Sequence, residues 1–165
     1  MPKVRTLSRT FMKGHPRAGE PTYFVEKFLL SRMSMGMHIS ELKKYDSLVS
    51  PEAKAELPKH HTVRMGRHFK PVDEITLGVW SGKPYRSKLN MFWSGPIRSV
   101  DIFIECFGDG RFVLHKIGTS INYILSLDEV AKNDGLSTKD FRAWFNLPTG
   151  IHDAQILIWN PEINY

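Results

Sequence analysis

Val100, Ile102 and Ile104 alternate with other residues, so in an extended chain all three fall on one face. Phe107-Gly108-Asp109-Gly110 follows with turn chemistry, and RFVLHKI returns as a second extended run. That hairpin constrains the chain most, because its apolar face must be covered by other elements. Further strands are expected at Val4–Leu7, Thr62–Arg64, Ile75–Trp80 and Ala154–Trp159.

Helical signals separate these strands. GHPRAGEP reads as loop, after which Thr22 is placed to cap a helix whose buried stripe is Phe24, Val25, Phe28 and Leu29, running to about Arg32. Ser126 with Glu129, and Ser137 with Asp140, start two short helices that meet at Asn133-Asp134-Gly135, where Gly135 supplies a left-handed cap. Phe141, Trp144 and Phe145 form the apolar face of the second. Residues 33–58 read as an insertion of one or two short helices, with a start at Ser50-Pro51-Glu52. The sum is an α+β fold: a curved, mostly antiparallel sheet or small β-barrel with peripheral helices.

With 165 residues, 41% of them hydrophobic, the chain buries one sizeable core, so residues 1–165 are expected to form a single domain. The 23 Lys and Arg against 17 Asp and Glu give +6, a balance that favours a polyanionic partner. A single cysteine, Cys106, excludes an internal disulfide. No apolar run approaches the roughly 18 residues of a membrane span, and the basic start lacks the apolar core of a signal peptide. The cytoplasm is the expected location.

The densest basic stretch lies between KHHTVR and PYRSK. Arg64, Arg67, Lys70, Lys83, Arg86 and Lys88, with Lys59, flank one strand and are expected to neutralise phosphates along a groove. Trp80, Tyr85, Phe92 and Trp93 are interleaved with them. Core positions suit most of these aromatics, whereas Tyr85, in a loop beside Gly82 and Pro84, is the candidate for stacking on an unpaired base. A solvated face is the plain alternative for the charges. His60, His61, His68 and Cys106 follow no zinc spacing, so neither a metal nor another cofactor is expected.

PTYFVEKFLLS, KHHTVR, FKPVDEITLGVWSGKPY, LSLDEVAKNDGLSTKDFRAWF and AQILIW, in this order, resemble an ASCH domain, a branch of the PUA-like superfamily. The resemblance covers most of the chain from Pro21 onward. It implies a small, distorted PUA-like β-barrel with peripheral helices that binds RNA, in some members with hydrolytic chemistry. One enzymatic branch, the bacterial acetylcytidine amidohydrolases, is built around a lysine, a threonine three residues later and a distant acidic residue. Lys59 and Thr62 match that spacing, and Asp134 falls at the acidic position, where that branch has a glutamate one methylene longer.

Physical chemistry adds conditions. A threonine hydroxyl is a weak nucleophile until a base takes its proton, and a lysine serves only when burial or nearby cations bring it down from about 10.4. His60, His61 and Arg64 are the expected cations. Positions three apart on a regular strand point to opposite faces, so Lys59 should lie in a bend before the strand, beside Pro58. The foremost reading is a module that binds RNA or a modified nucleoside. An acetylcytidine amidohydrolase is the alternative, and a non-enzymatic assembly protein with a protein partner is the third. No oligomeric state follows from the pattern.

Overall fold

A computed structural model describes residues 3–46, 48 and 57–165. In chain order its elements are β1 (Lys3–Thr6), α1 (Phe24–Ser34), α2 (Ile39–Leu42), a 3-10 turn (Lys43–Tyr45), β2 (His61–Met65), β3 (Val72–Trp80), β4 (Leu89–Cys106), β5 (Phe112–Lys116), β6 (Tyr123–Leu125), α3 (Leu127–Asn133), α4 (Thr138–Phe145) and β7 (Gly150–Ile158).

All seven strands belong to one mixed sheet. β4, 18 residues long, organises it. Its first half pairs antiparallel with β3 and its second half with β5 and β7, while β2 adds antiparallel to β7. β1 joins β3 in the one parallel pairing among the described residues, and β6 follows β5. The sheet is mostly antiparallel and is not closed into a barrel. A register shift opposite Leu77/Gly78 leaves Phe92 as an extra residue on β4, a β-bulge. Phe92 packs edge-on against Phe28 at 5.6 Å.

The alternating triplet behaves as its pattern requires. Val100, Ile102 and Ile104 are all buried, and Gly110, with φ 84°, turns the chain back into β5. Phe28 of α1 is fully buried between Trp93 and Trp159, each 5.4 Å away. From α4, Phe141 is fully buried against Phe145, and half-buried Trp144 meets Phe24 edge-on at 5.4 Å. Burying one such ring contributes roughly 1.5–3 kcal/mol.

Both serine caps form. Ser126 accepts the Glu129 N–H and Ser137 accepts the Asp140 N–H. Thr22 caps α1 only weakly, its hydroxyl oxygen accepting the N–H of Phe24, the first helical residue, at 3.4 Å. The residue before the helix is Tyr23, left-handed at φ 55°, and the Thr22 hydroxyl donates to the Ser8 carbonyl at 2.5 Å. Thr22 therefore ties the helix start to the end of β1. Residues 33–58, read as an insertion, hold the end of α1, then α2 and the 3-10 turn; the start read at Ser50-Pro51-Glu52 lies outside the described residues. Among the described residues no helix is long and apolar enough to cross a membrane.

Candidate functional site

Lys59 lies two residues before β2 and is fixed by its backbone on three sides. Its N–H donates to the Lys27 carbonyl at 2.9 Å, its carbonyl accepts the Trp159 indole N–H at 2.9 Å, and the next N–H, of His60, donates to the Asn133 carbonyl at 2.7 Å. Strand alternation begins only at His61, which puts Thr62 and Arg64 on one face of β2 and frees Lys59 from that alternation. The bend expected beside Pro58 is present.

The Lys59 ammonium, 1% exposed, donates to the Asp134 backbone carbonyl at 2.7 Å and to its Oδ1. It also lies 4.3 Å from the centroid of the Phe24 ring. Asp134 closes α3, where the helix dipole disfavours a carboxylate, and Lys59 offsets this by binding the carbonyl and the carboxylate together. Gly135, at φ 74°, makes the turn. A Cβ there would meet Lys27 Cδ at 3.1 Å and Lys59 Cβ at 3.3 Å. The Asn-Asp-Gly turn thus ends α3 and also carries the carboxylate that Lys59 binds.

Burial dominates the electrostatics. It lowers the Lys59 ammonium to about 8 against the opposing pull of Asp134, with Arg64 and Lys27 lowering it further. Burial likewise raises the Asp134 carboxyl, although Lys59 and Arg64 favour its anion. The expected cationic pressure from His60 and His61 is absent, because burial lowers both imidazoles, that of His61 well below its ordinary range. Arg64 does supply the expected pressure, joined by Lys27.

Lys59, Thr62, Arg64 and Asp134 line one cavity of about 260 Å³, walled by Phe24, Trp80 and Trp144 and edged by Tyr85. Thr62 is 5% exposed, and no hydrogen bond among the described residues engages its hydroxyl. Arg64 is half-buried, donating from Nη2 to the Thr6 carbonyl at 2.7 Å. Tyr85 is 89% exposed, left-handed at φ 60°, and tilted against Trp80 with ring centroids 5.3 Å apart. Phe92 and Trp93 are core aromatics packed on Phe28. A neighbouring cavity of about 290 Å³ includes Asp140 and Ser137, but Arg17 occupies the carboxylate and the Ser137 hydroxyl caps α4.

The expected basic groove divides. The cavity lies at the C-terminal end of β3, as do exposed Lys83, Arg86 and Lys88 in the loop after it. Arg67 and Lys70 precede β3, at its other end, and Arg67 is paired with Asp153. Nine extended residues at roughly 3.3 Å each separate the two groups, so they do not converge. Phe24 and Trp144 read from sequence only as core residues, since helical spacing does not distinguish a core position from a cavity wall. Among the described residues no three His, Cys, Asp or Glu side chains group to hold a metal ion. No protein-family model, curated protein or solved structure matches the chain.

Proposed function

We propose that the cavity receives a single modified nucleobase, free as a nucleoside or within an unpaired RNA strand, and that the chain is an ASCH-like, PUA-like binding module. The observation that supports this reading is the meeting of Lys59 and Thr62 with Asp134, 75 positions from Lys59, in one cavity beside Arg64 and Tyr85. Its volume of about 260 Å³ is just below the common range of ligand pockets and suits one base rather than a duplex. The Trp80–Tyr85 pair offers a stacking surface. Exposed Lys83, Arg86 and Lys88, in the loop that edges the cavity, supply the positive charge that flanking phosphates require.

A second reading, hydrolysis of acetylated cytidine, is favoured by an amine brought down to about 8 that lines the same cavity as a hydroxyl without a hydrogen-bond partner among the described residues. In this reading neutral Lys59 takes the proton as Thr62 Oγ1 bonds to the acetyl carbon. The carbon–nitrogen bond to cytosine then breaks as Lys59 returns that proton to the leaving nitrogen, and water releases acetate from the acyl-threonine. Asp134 holds the ammonium between the two transfers.

The test is to follow acetylcytidine binding and cytidine release in parallel. Thr62→Val should fold, bind and release no cytidine, because a methyl group replaces the nucleophile without changing the shape. Parent turnover should rise with pH through about 8, as Lys59 passes to its neutral form. Tyr85→Ala should weaken binding of an RNA oligomer about tenfold, from the loss of stacking. RNA binding untouched by Tyr85→Ala sinks the module; normal turnover by Thr62→Val sinks the hydrolase.

A further inference from the structure

Behind the Lys59–Asp134 pair lies a polar chain, buried at His61 and half-buried at Tyr165 and Asn133, that neither binding nor nucleophilic attack employs. His61, the first residue of β2, is fully buried. Its Nε2 lies 2.8 Å from the hydroxyl of Tyr165, and that hydroxyl accepts the Asn133 side-chain N–H at 2.9 Å. The segment carrying Tyr165 is anchored: the Tyr165 backbone oxygen accepts from Lys116 Nζ and the Ile163 carbonyl from Arg98.

These contacts fix the imidazole. With Asn133 donating into the phenol oxygen, the phenol's own proton points at His61 Nε2, so the ring accepts there and carries its proton on Nδ1. That Nδ1 is buried, has no hydrogen bond of normal geometry, and lies 3.9 Å from Asp134 Oδ1, the oxygen Lys59 also binds.

The gap matters once Lys59 works as a base. A lysine that has shed its proton to water no longer neutralises Asp134, whose carboxylate then keeps only the Val63 backbone N–H and the field of Arg64, and a buried anion so poorly compensated is costly. We infer that His61 and Tyr165 are a positioning pair: when Lys59 is neutral, His61 Nδ1–H closes on Asp134 Oδ1 and holds the carboxylate. This rests on the reading of Lys59 as the base.

The charged and titratable neighbours are consistent with the role. Lys27 from α1 and Arg64 from β2 bear on Lys59, and Arg64 also on Asp134. Burial above all, with Lys59 adding to it, holds the His61 ring neutral, while the Val130 carbonyl favours a proton on it. Burial, reinforced by Glu129 and Asp134, keeps the Tyr165 phenol protonated and able to donate.

Two spectroscopic measurements on the full chain test this without requiring turnover. Nitrogen NMR of labelled histidines should show the His61 proton on Nδ1; a proton on Nε2 overturns the inference. Carbon NMR at Lys59 Cε should give a midpoint near 8 in the parent, raised in folded His61→Phe by on the order of one unit and restored in His61→Asn, whose amide replaces the Nδ1 donor. Tyr165→Phe keeps the imidazole and should move the midpoint the same way by less, which preserves the test if His61→Phe does not fold. A midpoint unmoved by both substitutions, with acetylcytidine still hydrolysed, overturns the His61 role alone. A midpoint that moves in a parent without turnover upholds the coupling and rejects the hydrolase.

Discussion

Two ion pairs join lysine or arginine to aspartate at β2 and just beyond its far end, and burial sets them apart. Lys59 and Asp134 have side chains only 1% and 5% exposed, whereas Arg67 and Asp153 are 40% and 61% exposed. At the exposed pair, water screens the attraction, and such pairs contribute about 0–1 kcal/mol. At the buried pair, both charges have lost their hydration, which lowers the amine to about 8 and raises the carboxyl. Contact between opposite charges therefore says little about chemistry; burial decides whether an ammonium stays a fixed cation or becomes able to exchange its proton.

The most severe way to break this contrast is Asp134→Ala, which leaves a buried amine with one carbonyl partner. Chemical denaturation should show a loss on the order of 3–5 kcal/mol, with the new cavity adding to the lost pairing. An intermediate effect is expected from the loop beside the cavity. Reversing Lys83 and Arg86 to glutamate should weaken binding of a single-stranded RNA and flatten its dependence on salt, whereas the same reversal at Arg67 and Lys70 should leave affinity and slope unchanged. Equal effects at both ends would restore the continuous groove and remove the distinction. The smallest effect belongs to Arg67→Ala, which should change stability by less than about 1 kcal/mol, read from the same denaturation curves.

What was legible in the sequence follows the range of the interactions. Ser126 and Ser137 cap helices through bonds three residues long, and the Phe107–Gly110 turn closes a hairpin, so local chemistry announces each. Thr22 is legible only in part: its weak bond from the Phe24 N–H is local, but its hydroxyl donates to the Ser8 carbonyl, fourteen positions back, an interaction no local pattern carries. The basic stretch looked continuous in one dimension, yet β3 places its two halves at opposite ends of a strand. Lys59, Thr62 and Asp134 emerged through a resemblance and not from composition. His61 stood in view between Lys59 and Thr62 but read as a cation, since only Tyr165 and the surrounding burial reveal a neutral ring. Tyr165 itself has no neighbour in sequence that hints at its partners.

The long β4 also bears on the order in which such a site can assemble. Its ladders with β3 and β5 run between strands adjacent in the chain, so they close short loops and form with little loss of chain entropy. The ladder of β2 with β7 instead joins His61 to Ile158 across most of the molecule, and the hold of Lys59 on Asp134 spans 75 positions. Contacts of such sequence separation form slowly, because a large loop must close before any of them stabilises the chain. The hairpins around β4 are thus a scaffold that can exist early, and the cavity is completed late, when β7 docks and β2 adds to its edge.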